Sequence, residues 1–205
     1  SCLSGGGLIC GYISFLAALL AATTSSYASS NLVSRPIGIM VINLPEQSQS
    51  LISLPYKPFA SSLESVIGDQ LKDSTNSSSS DAILLWDKAN LRYRSLSRVN
   101  GKWQDDSTKQ EVSDVELEAG TAFWIVNRQW TNEVLMLGGS VLMADTNAVI
   151  LSQSLNLIGL PYSSALALQN SGLSPLGGDH LVDAEGNSVS NMVPGRGYWF
   201  DRKEQ

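Results

Sequence analysis

Two hydrophobic regimes divide the chain. From Leu8 to Ala22 the residues read LICGYISFLAALLAA, apolar and uncharged, which predicts a helix. Beyond Asn31 the apolar residues recur with the short period of strands. Ile37, Ile39 and Val41 interleave with Gly38, Met40 and Ile42, a largely apolar strand. A turn at Pro45–Ser48 precedes a second strand, Leu51 to Leu54, which Pro55 ends because it has no N–H for a ladder. Ser61 to Leu71 predicts the best helix of the body, with Ser61 or Ser62 as cap and Leu63, Val66, Ile67 and Leu71 on one face. Lys72 to Ser80 holds no apolar residue and reads as a mobile loop. Asp81–Asp87 predicts a buried strand. Leu91–Val99 and Lys102–Gln104 flank Asn100-Gly101, a strong two-residue hairpin signal. Leu117–Asn127 predicts a turn and an aromatic strand. Val134–Leu137 and Val141–Ile150 predict further strands around Gly138-Gly139.

The same vocabulary returns in order. Leu157-Ile158-Gly159-Leu160-Pro161-Tyr162 matches Leu51–Tyr56 at five of six positions. Ala165–Leu168 with Leu173 takes the place of the helix, and Asp179–Asp183 that of the strand ending at Asp87. Gly195-Arg196-Gly197-Tyr198-Trp199 echoes Gly120–Trp124. The second copy is shorter and lacks the Asn100-Gly101 hairpin. Landmarks in order indicate duplication. The chain therefore reads as mainly β: two degenerate β-rich repeats, 34–130 and 134–202, sharing one core in a barrel-like or sandwich unit. One or two short helices and an apolar N-terminal helix within 1–28 complete the expectation.

That N-terminal segment ends in TTSSYASS, with Ser26 and Ala28 at the −3 and −1 positions of a cleavage site. It matches a secretory signal, although no lysine or arginine precedes the apolar run. A retained membrane helix and a buried core helix are the alternatives; the run is short for a bilayer. Export to the cell surface, periplasm or extracellular space is the expectation, with membrane contact only through residues 8–22 if they are kept. Both cysteines, Cys2 and Cys10, lie in this region, so the body has neither a disulfide framework nor a thiolate metal site.

Charge narrows the partners. Charged residues make up 16% of the chain and the net charge is −6, which disfavours nucleic acid. Arg92, Arg94, Arg98 and Lys102 cluster, but Asp105, Asp106, Glu111 and Asp114 follow, as on a solvated strand face.

Candidate chemistry is sparse. His180, the only histidine, lies near Asp179 and Asp183, yet no G-x-S-x-G elbow is present, and His180 aligns with Ala82 of the first copy. Asp81 with Asp87, or Asp105 with Asp106, are carboxylate pairs by type only. Asp183–Asn187 resembles a calcium loop superficially but lacks further acidic ligands and reads as a hairpin turn. No catalytic residue, metal site or cofactor is expected. The aromatics are more informative. Trp86, Trp124 and Trp199 recur as repeat landmarks and are expected in the core. Trp103 and Trp130, beside polar neighbours, and Tyr93 are the candidates for stacking on sugar rings.

At Arg35-Pro36-Ile37-Gly38, Leu51–Tyr56, Leu85-Trp86-Asp87, Gly120–Trp124 and Gly195–Trp199 the chain resembles a family of secreted, functionally uncharacterised paralogous proteins of verrucomicrobial and related bacteria. The resemblance covers roughly 34–202 and implies export, β structure and a surface role, with no catalytic residues to carry over. The expected function is a non-enzymatic structural or adhesive module of the envelope or an extracellular assembly. Its partners would be copies of itself, other envelope proteins or polysaccharide. The alternative is a carbohydrate-binding module, and a hydrolase using His180 or an aspartate pair ranks third.

Overall fold

The computed structural model describes residues 35–144, 146–149, 151–152, 154–173 and 180–202. Expectations placed on residues 1–34, including the apolar segment and both cysteines, lie outside these, as does Asp179. Strand accounts for 45% and helix for 4%, so the body is mainly β. Its sheets stay open and no barrel closes. Among the described residues every pairing between strands is antiparallel.

The first copy contributes β2 (Ser48–Ser53), β3 (Ala82–Asp87), β4 (Arg92–Val99), β5 (Lys102–Asp105) and β6 (Ala122–Asn127). They form one sheet in the order β2-β6-β3-β4-β5. Asn100 and Gly101 have φ of 51° and 78°, the left-handed pair that a tight hairpin between β4 and β5 needs. β1 (Ile37–Leu44) pairs with β7 (Glu133–Ser140) as a separate ribbon. The second copy contributes β8 (Leu155–Gly159), β10 (His180–Val182) and β12 (Gly197–Asp201), ordered β10-β12-β8. β9 (Leu166–Ala167) and β11 (Asn191–Met192) make a small pair beside them.

Several sequence expectations need correction. The helix is a single turn, α1 (Leu63–Val66), capped by the Ser62 hydroxyl accepting from the Ser65 N–H. Gly68, at φ 58°, diverts the chain, yet Leu63, Ile67 and Leu71 still face the core. Its counterpart in the second copy is β9 and a 3-10 turn, Leu168–Asn170. β7 runs through Gly138-Gly139 as one strand, and the described part of 141–150 forms no strand. The 72–80 loop is tied down rather than loose. The fully buried Asp81 carboxylate accepts from the Lys72 and Arg128 N–H groups, and Arg128 Nη1 donates to the Ser77 and Ser80 carbonyls.

The two copies share their pairing register. Leu51 faces Trp124 as Leu157 faces Trp199. Ile83 faces Ile125 as Leu181 faces Phe200, which sets His180 in the place of Ala82. The β4–β5 hairpin has no counterpart in the β10-β12-β8 sheet. Equivalent backbone groups also meet reciprocally between the copies. Ser53 N donates to Gly195 O at 3.0 Å, and Gly159 N donates to Gly120 O at 2.9 Å. Ile52 bridges Arg196, and Ile158 bridges Thr121.

This local two-fold relation brings equivalent positions face to face, where two side chains do not fit. A Cβ on Gly159 would overlap Ser53, its own counterpart. A Cβ on Gly197 would lie 3.1 Å from that of its counterpart Ala122 and 2.7 Å from Leu51 Cγ. At the first pair one member must be glycine, which is why the copies differ there; at the second, Leu51 is the closer obstacle to a side chain at 197. Burial falls into two clusters, where one shared core was expected. The first lies between the five-stranded sheet, the ribbon and α1, and includes Leu44, Ile67, Trp103, Phe123, Ile125 and Leu135. The second gathers Ile158, Leu160, Leu181, Met192, Tyr198 and Phe200.

Candidate functional site

Side chains alternate across a strand, so the five-stranded sheet has two unlike faces. Ile83, Leu96, Phe123 and Ile125 point into the first core. Leu84, Trp86, Tyr93 and Trp124 belong to the opposite face, where Trp86 stands opposite Tyr93 and Leu84 opposite Trp124. The second copy lays β12 against this face at Leu51 and Ala122, and Trp199 projects from that strand. The smaller sheet covers the face only in part, so an aromatic margin stays half exposed.

The rings at that margin interlock edge to face. Centroid separations are 5.2 Å for Trp86–Tyr93, 5.0 Å for Trp86–Trp199 and 6.2 Å for Tyr93–Trp199. Trp86 Nε1 donates to the Leu155 carbonyl at 3.0 Å, and Trp124 Nε1 donates to the Tyr93 hydroxyl at 2.8 Å. The polar tips of Trp86, Trp124 and Tyr93 are thus satisfied while the ring bodies stay partly open. Burial pushes the Tyr93 phenol above its ordinary pKa. This corrects the placement of Trp86, Trp124 and Trp199 in the core: all three are half-buried, because the repeat landmark positions point to the face that meets the other copy.

A groove of about 620 Å³ adjoins Tyr93, lined also by Asp87, Arg92, Arg94, Ser95, Asp105 and Asp106 among others. Arg94 Nε donates to Asp105 at 2.9 Å. The Ser107 hydroxyl and then Arg94 hold the Asp105 carboxyl well below the usual range. Asp106 Oδ2 accepts from the Ser95 and Ser97 hydroxyls, while its buried Oδ1 has no partner among the described residues. Asp87 is lowered chiefly by the Asn90 side chain, which donates to it at 2.7 Å. The groove therefore combines one aromatic edge with charged groups of both signs.

The three sequence-stated stacking candidates do not converge. Tyr93 is 40% exposed and belongs to the cluster. Trp103 is 3% exposed and packs in the first core, so it cannot stack on a ligand. Its polar neighbours Lys102 and Gln104 misled because on a strand they face the other way. Trp130 is 81% exposed, but it lies in the bend beyond the far end of β6, and its ring is not among those that interlock at the margin. What sequence reasoning missed was Trp86, Trp124 and Trp199 as surface residues; their shared register with alternating core residues was the available signal.

The catalytic candidates are placed as follows. His180 is exposed and stands opposite Asp201. Asp183 accepts from the Glu185 and Asn187 N–H groups in a turn through Gly186, contacts that lower its pKa, the Asn187 N–H most of all. Asp81 and Asp87 sit at opposite ends of β3, about 20 Å apart, well beyond the separation of a glycosidase pair. Asp105 and Asp106 are held by the separate partners described above. Three of the four residues of the basic cluster are paired: Arg94 with Asp105, Arg98 with Glu64 and Lys102 with Glu111. Among the described residues no three His, Cys, Asp or Glu side chains gather as metal ligands, and no helix is long and apolar enough to cross a membrane.

No family model matches the chain, and neither the curated proteins nor the solved structures contain a match to it.

Proposed function

We propose that the protein is a non-enzymatic, exported adhesive module that holds polysaccharide on the aromatic margin formed by Trp86, Tyr93, Trp124 and Trp199. The observation that carries this reading is the gathering of four half-exposed rings, from both copies, beside a polar groove. Sugar rings offer apolar C–H faces that stack on aromatic planes and hydroxyls that both donate and accept. The Tyr93 ring and the polar groups of Arg92 and Ser95 beside it match those two demands in one place. Export rests on the secretory pattern of residues 8–28 and on the resemblance to secreted repeat proteins.

The affinity of one such site is modest. Three ring contacts at up to about 1.5 kcal/mol each correspond to a dissociation constant of about 1 mM at the tightest. Adhesion then comes from many copies engaging one polymer. The test is a glycan array probed with the protein displayed multivalently on beads, followed by titration of tryptophan fluorescence with any polysaccharide retained. Retention of a defined glycan class with a saturable fluorescence change supports the reading. An array without hits, and fluorescence unmoved by polysaccharide at 10 times that constant, roughly 10 mM in sugar units, rejects it.

A further inference from the structure

The ribbon of β1 and β7 is apolar on both faces. Inward, Met40, Ile42, Leu44, Leu135 and Leu137 pack on the first core. Outward, Ile37, Ile39, Val41, Val134 and Met136 are 64%, 68%, 59%, 53% and 57% exposed. A strand with one wet face alternates apolar and polar residues, and a near-continuous apolar run belongs to strands covered on both sides. The other outward positions, Asn43, Gly138 and Ser140, carry no charge either. The ribbon is also firmly seated, so this face has a fixed shape. Gly38 and Gly139 face each other on its inner side, where a Cβ on the first would meet the Tyr56 ring and on the second the Lys57 carbonyl.

The five side chains expose about 600 Å² of apolar surface, at the upper end of what monomers leave open. That approaches the roughly 800 Å² each partner buries in a standard interface. We propose that this face packs against the same face of a second copy of the chain in a two-fold dimer. Self-pairing suits an uncharged face on a chain of net charge −6, because it sets no like charges against one another. Gly138, opposite Ile39, leaves a notch in an otherwise full surface that a side chain of the partner copy can enter. A lipid surface fits less well: interfacial faces are rich in basic and aromatic anchors, whereas the eight outward positions of the ribbon carry none, and the exposed Arg35 and Lys57 lie only at the end where Ile37 meets Ser140. The inference is independent of the aromatic margin, whose residues lie on β3, β4, β6 and β12.

Sedimentation velocity of the full chain between about 1 and 200 µM tests it. The expected mass rises from 22.0 kDa toward twice that value. In Ile39→Lys the dissociation constant rises at least tenfold with the near-ultraviolet circular dichroism unchanged. Should that variant lose its dichroism, Val41→Thr and Met136→Gln, milder changes at exposed positions, are expected to weaken association in the same direction. A wild-type chain that stays at 22.0 kDa throughout overturns the proposal, as do folded variants that associate like the parent. Monomeric protein captured by phosphatidylcholine vesicles, and released by Ile39→Lys, overturns it in favour of a lipid partner.

Discussion

Placing a serine at Gly159, so that the second copy reads as the first does, drives its Cβ into the Cβ and hydroxyl of Ser53. Backbone lies behind it, with Gly120 O 3.2 Å from the same point, so the side chain cannot turn away. Overpacking of this kind costs about 1–3 kcal/mol, and displacement of the Ser53 hydroxyl from the Arg196 carbonyl, a 2.8 Å bond, adds about 1 kcal/mol. Ser53→Gly alone should cost about 2 kcal/mol, from that lost bond and from glycine in a strand. If the two substitutions were independent, the double variant would lose about 4–6 kcal/mol. The local two-fold relation requires otherwise. With Ser53→Gly in place, the seam again holds one Cβ, and the new hydroxyl at 159 faces the Thr121 carbonyl, the counterpart of Arg196. The exchanged protein should fall within about 1 kcal/mol of the parent, a coupling of about 4 kcal/mol. Urea unfolding followed by tryptophan fluorescence measures all four proteins, with Gly159→Ser shifted down by about 1.5 M at an ordinary slope. Losses that simply add in the double variant would refute the reasoning.

Three further outcomes follow from other parts of the structure. Burial, with the Asp81 carboxylate beside it, pushes the Glu133 carboxyl up from 4.5 to about 7. An acid whose folded pKa is raised holds its proton more tightly when folded, so its contribution is full below 4.5 and is lost as pH rises through 7. Discounted for solvent around this half-buried side chain, the loss is about 1 kcal/mol; Glu133→Gln should flatten the urea midpoint between pH 4.5 and 8 and raise it at the upper end. Trp103→Ala should cost about 3–5 kcal/mol, measured by thermal unfolding, while the protein still folded keeps the parent's polysaccharide affinity. Gly101→Ala, forced to hold a φ of 78°, should cost about 1 kcal/mol by the same measurement.

Much of the fold was legible because period and punctuation agree in the body. Asn100-Gly101 marks its hairpin unaided, and the paired landmarks Leu51–Tyr56 and Leu157–Tyr162 carry the two-copy plan down to the register of His180 with Ala82. The helix was overread because apolar spacing at Leu63, Ile67 and Leu71 survives a chain that leaves helical geometry at Gly68. Burial was harder. Repetition identifies Trp124 and Trp199 as matched positions but says nothing about which face they, or Trp86 beside them, occupy. Whether a landmark is core or surface depends on how far the second sheet extends over the first, a tertiary quantity. Trp103 failed in the opposite sense, its polar neighbours marking a core strand with one wet face.

The central claim is that the aromatic margin binds polysaccharide, and Tyr93 tests it most directly because it belongs to both the ring cluster and the groove. Affinity electrophoresis through gels containing the polysaccharide retained on the array compares the parent with Tyr93→Ala, Tyr93→Phe and Trp130→Ala. Tyr93→Ala is expected to weaken retardation at least tenfold, while Tyr93→Phe, which keeps the ring and loses only the bond from Trp124, and Trp130→Ala, remote from the cluster, migrate like the parent. Retardation of Tyr93→Ala equal to that of the parent, or lost in Trp130→Ala instead, would contradict the account.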